Sequence, residues 1–131
     1  MTLQIRREQV HTLSHLDGAY RSFVVRMVEH LREHFGPELG EIDELALAED
    51  VQAGIERARS YRLTTRRDCA RYLGLCASLG WDFDTTLPWV RPLLLDRARS
   101  PSDRIGEVFE RAVEQLEHEA KTITRRRRLG M

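Results

Sequence analysis

The chain has 131 residues, 41% of them hydrophobic and 32% charged, and its 21 basic and 21 acidic side chains sum to zero. A chain of this length buries roughly two thirds of its unfolded surface without disulfide staples, so one core is expected. The mixture is too apolar for disorder, too often interrupted by charge for a membrane-spanning run of about 20 residues, and lacks the general basic field of a nucleic-acid binder.

Met1 to Arg7 does not follow the basic, apolar, small-residue order of a secretory signal, which predicts a soluble cytoplasmic protein with no membrane contact. Apart from a brief alternation at Leu3-Gln4-Ile5, the periodicity is helical. Between Arg6 and Phe35, Val10, Leu13, Leu16, Tyr20, Phe23, Val24, Met27, Val28 and Leu31 recur at intervals of three and four. This is one long amphipathic helix, or two that meet at Asp17-Gly18, where glycine weakens the helix and aspartate can cap a restart. Gly36-Pro37 is expected to end it.

Ile42, Leu45, Leu47, Val51, Ile55 and Ala58 mark a second helix from about Asp43 to Ser60. Thr65 followed by Asp68 has the form of a capping box and starts a third, whose stripe Cys69, Tyr72, Leu73, Cys76 and Leu79 runs to a stop at Gly80. Residues 81–86 are expected to form a loop. A short helix follows over Leu87–Asp96, distorted or started by Pro92. Ser100-Pro101-Ser102-Asp103 opens the last helix, with Ile105, Val108, Phe109, Ala112, Val113, Leu116 and Ala120 on its apolar face.

The expected fold is therefore all-α, a single-domain bundle of about five helices over residues 1–120, followed by a basic C-terminal tail at 121–131. Phe23, Met27, Leu31, Ile55, Leu73, Cys76, Leu79, Phe109, Val113 and Leu116 are expected in one core. The tail holds Lys121, Arg125, Arg126, Arg127 and Arg128 and no acid, leaving the rest of the chain at about −5. Its cations suit the negative pole of a helix end and are the one candidate contact for nucleic acid or another anion.

Few residues have a pattern that carries chemistry. His30-Leu31-Arg32-Glu33-His34 matches H-x-x-E-H, which on a helix puts two zinc-ligating histidines on one face. No downstream segment offers a third ligand, and the helix ends almost at once, so a solvated face is expected and no metal. His11 and His15 form a second such pair at the edge of an apolar stripe. Cys69 and Cys76, two turns apart on one helix, lie about 10 Å apart along its axis and cannot bond to each other, so both are expected as core residues. Trp81, Asp82, Phe83, Asp84 and Trp89 concentrate aromatics and carboxylates in one short segment, where full burial of all three rings is hard to arrange. This segment is the candidate partner-binding site. With no nucleophile, base and acid set and no phosphate-cradling glycine loop, neither catalytic residues nor a cofactor are expected.

Taken as a set, Gly54-Ile55-Glu56-Arg57-Ala58, Thr64-Thr65-Arg66-Arg67-Asp68-Cys69-Ala70-Arg71-Tyr72, Gly80-Trp81-Asp82-Phe83-Asp84 and Leu87-Pro88-Trp89 resemble a group of small helical bacterial proteins encoded beside type VI secretion spike and effector genes. The resemblance spans roughly residues 5–118. Several members of the group have a glycine where Tyr61-Arg62-Leu63 stands here, and the arginine run is not a feature of the group. The resemblance implies a non-enzymatic accessory protein of the cytoplasm, an adaptor or chaperone that holds a secreted toxin or its carrier. An immunity protein that neutralises a toxin is the alternative, and nucleic-acid binding through Arg125–Arg128 is a third reading.

Overall fold

A computed structural model describes residues 18–129, which form six helices and no strand. They are α1 (Gly18–Leu39), α2 (Glu44–Ser60), α3 (Arg66–Leu79), α4 (Phe83–Thr86), α5 (Val90–Leu94) and α6 (Pro101–Arg128). The Leu3–Ile5 alternation, His11 and His15, and any break at Asp17 lie outside the described residues.

Local capping chemistry sets the starts of the three longer helices after α1, namely α2, α3 and α6. Asp43 Oδ1 accepts from the amides of Leu45 (2.8 Å) and Ala46 (3.2 Å), Thr65 Oγ1 from Asp68 (3.1 Å) and Ser100 Oγ from Asp103 (3.2 Å). Pro101 follows its cap at the first helical position, where no amide donor is needed. The exit of α1 departs from the expected stop at Gly36-Pro37. Pro37 has no N–H to give to the carbonyl four residues back, and its ring crowds that carbonyl. The break is taken up one residue early, at Phe35 (φ −130°, ψ 26°), and one more turn follows before Gly40, in the left-handed region at φ 65°, ends the helix. The kink seats the Phe35 ring on Gly74 of α3, where an added Cβ would stand 3.4 Å from it.

α3 is the centre of the bundle. Asp68, Cys69, Tyr72, Leu73, Gly74, Leu75, Cys76 and Ala77 are all buried in it, so it is apolar nearly all round and is covered by α1, α2 and the first turns of α6. Val24, Met27, Val28 and Leu31 of α1 and Leu47, Val51, Ile55 and Ala58 of α2 complete the main layer, while Val90 and Leu94 of α5 close the end against α6. Of the expected core residues, Met27, Leu31, Ile55, Leu73 and Cys76 are buried, and Phe23 and Leu79 are partly buried against the core. Phe109, Val113 and Leu116 are not core residues, being 39%, 38% and 46% exposed. The reason is length. At about 1.5 Å per residue the 14 residues of α3 span about 21 Å and the 28 of α6 about 42 Å, so α6 outruns the helix it packs on. Its last buried residue is Ala112, and the basic stretch from Lys121 simply continues the helix.

The connection from α2 to α3 is a Schellman turn: Leu63 donates to Ala58 O and Arg62 to Arg59 O, with Arg62 left-handed at φ 65°. A side chain costs about 1–2 kcal/mol in this conformation. Arg62→Gly is therefore expected to raise stability by about 1 kcal/mol, read as a higher midpoint in thermal or urea unfolding.

Candidate binding surface

The expected loop at 81–86 is a tight structure with one helical turn. Gly80 ends α3 at φ 114°, a conformation that side chains avoid, and donates to Cys76 O at 2.9 Å. The Asp82 carbonyl accepts from the amides of Thr85 (2.9 Å) and Thr86 (3.1 Å) and from both threonine hydroxyls. α4 is this single turn.

Its first two side chains, Phe83 and Asp84, point inward, so of the candidate contact residues these two offer no surface to a partner. Phe83 is fully buried against the Tyr72 ring, 5.0 Å between centroids. Asp84, 2% exposed, accepts from the Tyr61 hydroxyl (2.5 Å) and from Arg57 Nε (2.9 Å) at the end of α2. A carboxylate leaves water only when such donors replace it. Burial and the bond to Asp84 push the Tyr61 hydroxyl up to about 12. Burial also raises Tyr72, whose hydroxyl has no hydrogen-bond partner, and the second oxygen of Asp84 has none either. Asp68 is likewise buried, and its carboxylate accepts from Ser102 Oγ at 2.5 Å, joining the starts of α3 and α6.

The tryptophans behave differently. Trp81 is half-buried and lies across α2 at Gly54, where an added Cβ would meet Trp81 at 3.4 Å and Leu73 Cδ2 at 2.6 Å. Trp89, also half-buried, precedes α5, and Asp82 between them is exposed. The segment thus has a buried middle, Phe83 and Asp84, and partly open rings at Trp81 and Trp89. Gly54 thus meets Trp81, Arg57 and Tyr61 meet Asp84, and Tyr72 meets Phe83. They build the junction of α2, α3 and α4 and fix the tryptophans upon it. Arg57 and Tyr61 were not singled out by sequence reasoning as partners of Asp84. Their spacing of four across the end of α2, with Tyr61 as its C-cap, is the signal that could have found them, since it points both toward one incoming group.

The remaining candidates lie apart. His30 and His34 are exposed on α1 with ring centroids 4.5 Å apart, and partial burial and the neighbouring His34 lower the pKa of His30. Among the described residues no set of three histidines, cysteines or carboxylates converges as metal ligands do. Changing both histidines to alanine is expected to leave stability within about 0.5 kcal/mol of the parent in urea unfolding. Cys69 and Cys76 are buried unpaired thiols; burial pushes Cys69 up to about 11 and raises Cys76 as well, which keeps both protonated at neutral pH. Arg125, Arg126, Arg127 and Arg128 are exposed on the last turn of α6. At about 100° per residue they point around the whole circumference rather than along one stripe.

No protein-family model, curated protein or solved structure matches the chain.

Proposed function

We propose that the protein is a non-enzymatic binding protein that holds another protein, and that its contact surface includes Trp81, Asp82 and Trp89. One observation carries this reading: two half-buried tryptophans flank a turn whose middle is locked into the core through Phe83 and Asp84. Large amphipathic rings held in place before binding lose little freedom on association and commonly dominate interface energy. On the resemblance to proteins encoded beside type VI secretion genes, the partner is a secreted toxin or its carrier, held in the cytoplasm of the producing cell before export.

The test is capture of partners from the native cell with the wild-type chain and with Asp82→Arg as bait, followed by identification of what is bound. Asp82 is exposed and its side chain takes no part in the junction's bonds, so this variant folds. The proposal expects a toxin or toxin carrier on the wild type, depleted on Asp82→Arg. A partner retained equally by both moves the contact elsewhere, and capture of nucleic acid lost on deleting 121–131 replaces the reading.

A further inference from the structure

Three stretches of chain meet at one end of the bundle: the turn 61–63 after α2, the turn 95–99 after α5, and the first turn of α6. Between them opens a cleft of about 390 Å³, lined among others by Tyr61, Arg62, Leu94, Leu95, Arg97 and Arg104. No carboxylate lines it, and the nearby Asp96 accepts from the Ala98 amide through Oδ1. Arg104 is held in place by two backbone carbonyls, donating from Nε to Arg99 O (2.9 Å) and from Nη1 to Leu94 O (3.3 Å), with further N–H groups left to give. Arg62 and Arg97 are exposed, and among the described residues neither side chain has a hydrogen bond or an ion pair.

Helix C-termini attract cations, and Arg104 serves the end of α5 in that way, but Arg62 and Arg97 bond to no carbonyl. Cations gathered in one cleft repel each other until an anion enters. Arg62 stands there in the left-handed region at φ 65°, where a side chain is strained and nothing else in the fold offsets the strain. We propose that the cleft binds an acidic segment of the protein partner, its carboxylates on Arg62, Arg97 and Arg104 and an adjoining apolar side chain on Leu95, which is 53% exposed. The planar guanidinium fork matches a carboxylate. Size and lining favour a peptide over a free ion, since inorganic phosphate would fill a small part of this volume and has nothing to lay on Leu95. The cleft lies at the other end of α5 from Trp89, about 9 Å along the helix axis, within reach of one partner. That the occupant is a peptide rests on the reading of the chain as one that holds another protein; that it is an anion rests on the lining alone.

The test is a titration of the full chain, at low salt, with a synthetic peptide, acetyl-Glu-Glu-Leu-Glu-Glu amide, with its all-glutamine counterpart and with inorganic phosphate, followed through the arginine Nε–H resonances. The acidic peptide is expected to shift those of Arg62, Arg97 and Arg104 saturably and the glutamine peptide to leave them in place. Arg97→Glu, at an exposed position outside the core, is expected to weaken the peptide about tenfold. Arg62→Gly is expected to weaken it about threefold while raising the unfolding midpoint, opposite directions that a merely structural arginine would not give. No native partner is needed, so this titration can fail while capture through the tryptophans succeeds, and the reverse. Absence of saturable shifts, shifts confined to Arg125–Arg128, equal binding of the glutamine peptide, or an affinity untouched by Arg97→Glu overturns the proposal. Phosphate binding as tightly as the acidic peptide makes the cleft a free-anion site and overturns it as well.

Discussion

Arg57→Met is expected to destabilise the protein by about 3 kcal/mol, more than the exposure of that arginine suggests. Its side chain is 42% exposed while Asp84 is 2% exposed, and an ordinary surface pair of this kind contributes at most about 1 kcal/mol. The difference lies in what is left behind. Without Arg57 the buried carboxylate keeps one donor, the Tyr61 hydroxyl, and its other oxygen already has no partner. Stranding a buried charge costs about 3–5 kcal/mol. The same substitution in an Asp84→Asn background leaves no stranded charge and is expected to cost less than about 1 kcal/mol, so urea unfolding of the four proteins in the cycle isolates the coupling. Tyr61 adds an alkaline signature. Its folded pKa is raised to about 12 from an ordinary 10, so the stabilisation it brings is complete below pH 10 and fades as pH rises through 12. Tyr61→Phe removes that share of the alkaline loss.

The second large effect is expected at Gly54. In Gly54→Val the Cβ itself stands 2.6 Å from Leu73 Cδ2 and 3.4 Å from the Trp81 ring, before its methyl groups are placed. Overpacking of this kind costs about 1–3 kcal/mol, and a valine in this helix is expected at the upper end. Gly106→Ala in α6 is the contrast, since its Cβ would meet nothing nearer than the Arg71 guanidinium at 3.9 Å; it is expected to be neutral or to gain up to about 1 kcal/mol of helix propensity. Thermal unfolding ranks the two. Displacement of Trp81 in Gly54→Val is expected to change tryptophan fluorescence as well, which ties the helix crossing to the contact surface.

What the sequence made legible was whatever is decided within a few residues. Thr65 with Asp68 and Ser100 with Pro101 and Asp103 announce helix starts because the cap and its donor are three residues apart. The apolar stripes of α1, α2 and α3 found their core for the same reason. The stripe of α6 misled, because a periodic face says only that something covers it; that α3 is half as long as α6 is a property of the neighbour. Asp84 was placed at the surface since its partners lie 23 and 27 residues earlier, and carboxylates are rarely buried unless paired. The kink at Phe35 depends on the space that Gly74 leaves in another helix, which no local pattern records.

The contact made by the 81–89 segment is tested most directly by titrating the captured partner, once purified, into four proteins: the wild type, Trp81→Ala, Trp89→Ala and a chain lacking residues 121–131, each checked for native helix content. Loss of either tryptophan is expected to weaken binding by more than about 1 kcal/mol, roughly tenfold, while removal of the basic stretch leaves the affinity per chain nearly unchanged. Undiminished affinity in both tryptophan variants, or binding that vanishes with the basic stretch alone, would contradict it.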